Sequence, residues 1–457
     1  DGNNDKLENL LNGHNHDHQN HDWRKLDCNY ATGMSERVAS AWALLEANNS
    51  KVSEEDFMFH FMSDLIAHEV GHCLGLRHNF AGSTNVSTDD LLNDDYLRDV
   101  GVSASVMDYT AINTVAVKRG HGVFFNEEVG PYDEWAIEYG YGDVSASSPH
   151  GEKYMLDQIA KRSGMPGLLF LTDGDADGIN PLAVRFDLGS DTLDWIKTSI
   201  DSHKALRDYA STKFVKTGEG FAERNGLIIR SYERVFRDAM MAIRFIGGVE
   251  NRRHHKGDVL GKPTLAPVSP NKQREAVQLV LDECLSITSV DLPKNVILSL
   301  NQDPNGRAGA SWEAPLRAIL SSGQQSMVSS LLSGARVERM IENSFKVGEE
   351  NSYTVAEHYD TITDSVFSEL SSGQNVGGLR RDLQRFLLDG LFTQHSAPSG
   401  LIHEDVRMVA GAELRQLKST LTKASKSGKF NSITATHIDD LLDRINRYEQ
   451  RQITSDR

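Results

Sequence analysis

Residues 65–80 read LIAHEVGHCLGLRHNF, and within them His68, Glu69, His72, Gly75 and His78 stand at the spacing H-E-x-x-H-x-x-G-x-x-H. Two histidines four apart share one face of a helix and can hold a single metal ion. Glu69 lies next round that helix, where its carboxylate can reach a water on the metal without ligating the metal itself. Gly75 can take the left-handed conformation that ends a helix, so the chain turns back and delivers His78 as a third ligand. Three imidazoles leave one position open, which is the arrangement of a catalytic zinc rather than a structural one. With equal residue usage, five fixed residues at this spacing arise by chance in roughly one chain in ten thousand of this length.

The flanks predict the helix. Phe57, Phe61, Leu65, Ile66, Val70 and Leu74 recur at three- and four-residue steps and predict its apolar face. Ser53 before Glu54, Glu55 and Asp56 supplies a cap and an acidic first turn. A buried helix carrying two histidines and a glutamate is costly unless something pairs them, and a metal ion does so.

Length and charge narrow the choices further. A chain of 457 residues suggests two or three domains with ample material for a core. A formal net charge of −17 speaks against a nucleic-acid partner, which would want a basic face. No run approaches the ~18–20 apolar residues of a membrane span. Cys28, Cys73 and Cys284 are too few and too scattered for a disulfide framework. Cys73 follows a ligand histidine but points about 100° away from it, which suits packing rather than chemistry. The chain opens on Asp1 with no signal peptide, as expected of a mature fragment or processed product.

Taken in order, residues 1–22 are polar and carry His14, His16, His18 and His21, a tract open to weak metal binding or to a solvated loop. MSERVASAWALLEA at 34–47 predicts a helix. Beyond the third histidine a polar loop leads to Ser105-Val106-Met107-Asp108-Tyr109. Next, GPYDEWAIEYGYG at 130–142 predicts a short helix with Pro131 in its first turn and Gly140 at its end. Its Trp135, Tyr139 and Tyr141 are expected beneath the 105–109 turn, or as an aromatic subsite wall. Asp173, Asp175, Asp177 and Gly178 match the opening of a calcium loop, although an EF-hand needs an acid where Val184 stands. A solvated acidic turn is the other reading. RFDLG at 185–189 predicts a short strand. Beyond Asp191 the chain reads as helix after helix: 193–209, 218–247, 272–284, 326–345, 352–371, 378–391, 404–425 and 433–451.

The histidine motif followed by S-x-M-x-Y, with Met107 lying 29 residues beyond His78, resembles the metzincin zinc endopeptidases. That resemblance implies that Met107 forms an apolar floor under the three histidines, in a Met-turn. It implies that Tyr109 sits near the zinc as an oxyanion helper, or as a hydroxyl that bonds a loop. More narrowly, HEVGHCLGLRHNF, SVMDY, GPYDEWAIEYGY, RFDLG, GGVENRRHHKGD at 247–258 and RRDLQRFL at 380–387 resemble bacterial zinc metalloproteases with a long helical C-terminal region. Asn79 after the third histidine separates the chain from astacins, which resemble one another in a glutamate there, and from serralysins, which carry a proline. Metzincins also place a twisted sheet upstream of the zinc helix, whose edge pairs with the substrate. Only 67 residues precede His68, reading as loop and helix, so that subdomain is expected in a missing N-terminal part or a separate chain.

The expectation is therefore a mainly α protein. An N-terminal loop and helix over 1–50 precede a metzincin-like zinc-helix and Met-turn catalytic region over 51–190. A large helical C-terminal domain over 191–457 completes it. The expected activity is zinc-dependent endopeptidase cleavage of a protein or peptide substrate. His68, His72 and His78 bind Zn²⁺, Glu69 is the base, and Ca²⁺ at Asp173, Asp175 and Asp177 is a further candidate. The alternatives are a non-catalytic binding protein on the same scaffold, and a zinc amidase acting on a non-protein substrate. By the same resemblance the protein is expected to be secreted, periplasmic or at the cell surface.

Overall fold

A serine cap and an acidic turn start the central helix where the sequence places it. In the computed structural model, residues 28–455 are described, apart from 145–147, 177, 213–214, 216, 219, 290–291 and 302–314. The histidine tract at His14, His16, His18 and His21 therefore lies outside the described residues, as does Asp177. Helix α1 spans Tyr30–Ala47 and helix α2 spans Glu54–Cys73. Ser53 Oγ accepts the backbone N–H of Asp56 at 3.0 Å, satisfying one of the donors a helix start leaves free. α2 buries Phe57, Phe61, Asp64, His68 and Gly71. Phe57 packs against Phe124, Phe125 and Trp42, with ring centroids 5.4, 5.1 and 5.8 Å away.

One expectation for this helix fails. Ile66, Val70 and Leu74 are exposed, and with Met58 and Met62 they form an apolar stripe on the outer side. The periodicity is helical, but among the described residues the buried face is the adjacent one, which carries Phe57, Phe61, Asp64, His68 and Gly71.

The described residues divide into two compact units, one drawn from His18–Val268 and Pro293–Trp312, the other from Ser269–Leu292 and Glu313–Arg457. The first unit contains α1, α2, α3 (Pro131–Tyr141), α4 (Thr192–Thr212) and α5 (Ala222–Ala242), with several shorter helices. It also holds the one sheet found among the described residues, β1 (Val249–Asn251) antiparallel to β2 (Leu265–Pro267), with Glu250 opposite Ala266. The chain does not divide at 191 as expected. Trp195 of α4 lies in one apolar cluster with Val86, Leu91, Leu97, Val102 and Leu188, which ties α4 to the region before it. The unit around the histidines therefore continues to Val268.

Residues 185–189 are not a strand. Phe186 has φ of 64°, a left-handed conformation incompatible with extended backbone. Phe186 N–H bonds Tyr109 C=O (2.6 Å) and Ala111 N–H bonds Asp187 C=O (3.2 Å), joining this stretch to the 105–111 segment without a strand. α3 likewise runs past Gly140 to Tyr141.

The second unit is a set of helices at 316–331, 334–347, 355–366, 378–395, 404–426 and 432–455. The single helix expected over 326–345 breaks at Leu332 and Ser333, and the one over 352–371 breaks at Phe367. Its interior holds an ion pair, Arg380 Nε to Glu369 Oε1 at 2.6 Å, with the guanidinium also donating to the carbonyls of Leu285, Ser365 and Val366. Among the described residues no helix is long and apolar enough to cross a membrane.

Candidate metal centre

α2 ends where the sequence supplies a glycine. Gly75 has φ of 84°, and Leu76 N–H returns to Gly71 C=O at 3.1 Å, which reverses the chain one turn after His72. Among the described residues, nothing beyond its own chain neighbours lies within 4 Å of a Cβ placed on Gly75, so its backbone angle rather than space demands glycine there. The reversal brings His78 back beside His72, with ring centroids 4.7 Å apart. His68 lies 4.8 Å from His72 and 5.4 Å from His78 by the same measure.

Each imidazole is fixed through Nδ1. His68 Nδ1 bonds Val106 C=O at 2.7 Å, His72 Nδ1 bonds Leu76 C=O at 3.0 Å, and His78 Nδ1 bonds Asp173 Oδ1 at 2.7 Å. Carbonyls accept only, so in the first two rings the proton sits on Nδ1 and the Nε2 lone pair faces inward. For the third, burial pushes the Asp173 carboxyl up, but the hydrogen bonds from His78 and the Thr172 hydroxyl outweigh it and hold it at about 2. An ionised Asp173 is likewise an acceptor, and His78 takes the same tautomer. His68 is driven down to about 3, chiefly by burial, so it is neutral at ordinary pH.

This arrangement suits a cation. His72 Nε2 and His78 Nε2 are 3.1 Å apart with lone pairs facing one another, which is repulsive without a positive charge between them. His68 Nε2 is fully buried and has no hydrogen-bond partner among the described residues. Two nitrogens bound tetrahedrally at about 2.0–2.1 Å from zinc stand about 3.3 Å from each other, close to the spacing seen. The donor set fits the ion.

Beneath the site, the Ser105–Tyr109 turn supports the histidines. Asp133, at the start of α3, accepts from Ser105 Oγ (2.6 Å), Val106 N–H (2.8 Å) and Gly130 N–H (3.0 Å). It thereby fixes the peptide whose carbonyl orients His68. Met107 is fully buried, and a Cβ on Gly71 would stand 2.1 Å from its Sδ, so the thioether lies directly against the helix between the two histidines. Met107 C=O accepts Asn79 N–H at 2.9 Å, which anchors the residue after His78.

Tyr109 is nearly buried, with its ring 5.4 Å from His68 and 4.8 Å from His78. Burial, foremost, pushes its phenol above the usual range, so it stays protonated. Tyr30 stacks on Tyr109 at 5.0 Å and donates to the buried Asp64 at 2.6 Å. Glu69 is exposed, and its Oε1 accepts from the Cys28 thiol at 3.2 Å. Cys73 is exposed too, not packed as expected.

Of the acidic stretch, Asp173 and Asp175 bond within the chain, and Asp177 lies outside the described residues. Asp173–Ala176 is a single helical turn. Asp173 orients His78, while Asp175 accepts Thr172 N–H and pairs with Arg253 at 2.6 Å. In α3, Tyr139 and Tyr141 are not packed under the turn. Tyr139 and Tyr141 are exposed, and Tyr132, Trp135, Tyr139, Leu168, Phe170 and Arg253 line a cavity of about 410 Å³.

Sequence reasoning missed Asp64, Asp133, Cys28 and the bond from Asp173 to His78. Asp64 carried a signal, one turn before His68 on the same face. Asp133 carried another, as an acid at the third helical position. Cys28 and Asp173 meet the site only through the fold.

The profile of a family described as Met-zincin matches residues 50–374, more than half of the 457-residue chain. The chain belongs to the Met-zincin family. The matched span of this Met-zincin opens just before the cap of α2 and contains all three histidines, the 105–109 turn and Asp133. Membership implies zinc as the metal and a metalloprotease type of domain. No curated protein and no solved structure matches the chain.

Proposed function

We propose that this Met-zincin is a zinc-dependent endopeptidase acting on a protein or peptide substrate. The observation that carries this is the convergence of three Nε2 atoms, each aimed by an oxygen on its Nδ1, with Glu69 next to His68 on the same helix. His68, His72 and His78 would hold the ion. Zinc, when bound there, supplies a Lewis acid for the scissile carbonyl and lowers the pKa of water.

The chain's own residues account for the rest. Glu69 takes a proton at its carboxylate as water attacks, then hands it to the departing amine nitrogen. Tyr109, protonated, offers Oη as a donor to the carbonyl oxygen as negative charge gathers on it. Asp173 and the carbonyls of Val106 and Leu76 act on the imidazoles and never on substrate. Asp133 positions the Val106 carbonyl in turn.

Glu69→Gln tests the assignment. The variant is expected to bind one zinc per chain and to lose hydrolysis of a quenched peptide library by about a hundredfold or more. Full activity in the variant would remove Glu69 from the mechanism.

A further inference from the structure

A second cavity lies where α1, α4 and α5 meet. It has a volume of about 40 Å³ and is lined by Arg37 of α1, Thr114, Trp195 and Ser199 of α4, and Arg234 and Asp238 of α5. Phe186 forms part of its apolar wall, and the ring of Phe186 stands 5.6 Å from that of Tyr109. Three side chains of the lining hold buried polar atoms with no hydrogen-bond partner among the described residues. These atoms are Trp195 Nε1, Thr114 Oγ1, and Nε and Nη2 of Arg234. Trp195 is 1% exposed and Arg234 5%. An indole and a guanidinium donate and never accept, so the missing partner is an acceptor.

A water oxygen and an anion both accept, and charge decides between them. Asp238 is the one carboxylate among the described residues lining the cavity, and His203 Nε2 already engages it at 3.0 Å. Glu36 comes no nearer to Arg234 than 3.6 Å, and its side chain is exposed to solvent. Burial, and after it the charge of Arg234, pull the Arg37 guanidinium down to about 10, as expected where two like charges share a poorly solvated place. Arg207, one turn after His203 on α4, adds a third buried guanidinium, whose Nε and Nη1 also lack partners among the described residues. A buried charge is costly until an opposite one meets it. Water brings an acceptor and no charge, whereas an anion brings both. The volume corresponds to about three water-sized spheres, enough for a monatomic anion with a water and too little for a peptide or a phosphate ester.

We propose that this cavity binds one halide ion, chloride in ordinary buffers, held by Trp195 Nε1, Thr114 Oγ1 and the Arg234 guanidinium, and that the ion fastens α1 to α4 and α5. The site stands apart from the endopeptidase assignment, since none of the residues proposed to bind zinc or act on substrate lines it.

Bromide locates the ion directly. Crystals of the zinc-loaded full chain grown in sodium bromide should show one anomalous peak at the bromine edge between Trp195 and Arg234, distinct in position from any halide at the histidines. In solution, the Tm of the same protein should be about 3 °C or more higher in sodium chloride than in sodium gluconate of equal ionic strength, and the difference should saturate with chloride. Arg234→Met should abolish the chloride increment, and an increment of native size in that variant overturns the site. Should Arg234→Met fail to fold, the shape-preserving Thr114→Val and Trp195→Phe decide: each should lose about half of the increment or more, and a native increment in both overturns the site. No bromide in the cavity means that water fills it and the proposal fails. A bromide peak with equal Tm in the two salts marks an adventitious ion only, and overturns the proposal as well.

Discussion

A histidine is a useful zinc ligand only when its other nitrogen is spoken for, and here the three partners differ in kind. Two are backbone carbonyls, which no side-chain substitution removes, and the third is Asp173. Asp173→Ala should therefore weaken zinc about ten- to a hundredfold, measured by competition with a chelator, while stoichiometry at saturating metal stays at one. An unchanged affinity would mean that His78 does not depend on the carboxylate. Asp64 sets a pH dependence of its own. Burial, the largest influence, lifts it to about 8 despite the Tyr30 hydrogen bond. The folded chain thus keeps a proton that the unfolded chain releases near pH 4, so this group's contribution is complete below about pH 4 and is lost as pH rises toward 8. In metal-free protein, Asp64→Asn should flatten the fall in Tm between pH 5 and pH 8. A slope equal to that of the native chain would contradict the buried, protonated state. The clustering of His68, His72 and His78 was legible at this scale because they are local in sequence; Asp173 was not, because 95 residues separate it from the ring it orients.

At the scale of elements, α2 was readable because cap, acidic turn, motif and terminating glycine all lie within one short stretch. Its apolar face was misread because a helical period shows which residues share a side and not which side the rest of the chain covers. The 185–189 segment failed as a strand for a backbone reason, the left-handed Phe186, that residue type does not reveal. Between elements, Gly71 of α2 and Met107 meet closely under the site. Gly71→Ala would place a carbon 2.1 Å from Sδ, so the thioether and the turn bearing it must shift. The expected cost is about 1–3 kcal/mol of stability, seen as a lowered Tm, together with weaker zinc binding because Val106 of the same turn orients His68. A variant with native Tm and native zinc affinity would show that the turn does not support the helix there.

Across the whole molecule, a mainly helical chain was predictable from periodicity, and its division was not. Trp195 lies only a few residues past the expected boundary and is almost fully buried in a cluster with residues 86–102, so contacts distant in sequence decide where the unit ends. The second unit has its own internal weak point. Removing the guanidinium in Arg380→Met strands the buried Glu369 carboxylate and should cost about 3–5 kcal/mol, read as a lower denaturant midpoint. Zinc stoichiometry should be unaffected, because the pair and the histidines belong to different units. The most direct test of the account is the zinc-edge X-ray absorption of the full chain. Three imidazole nitrogens at about 2.0–2.1 Å in a four-coordinate shell are the predicted result. A shell with fewer than three imidazoles, or a chain that holds no stoichiometric zinc, would contradict it.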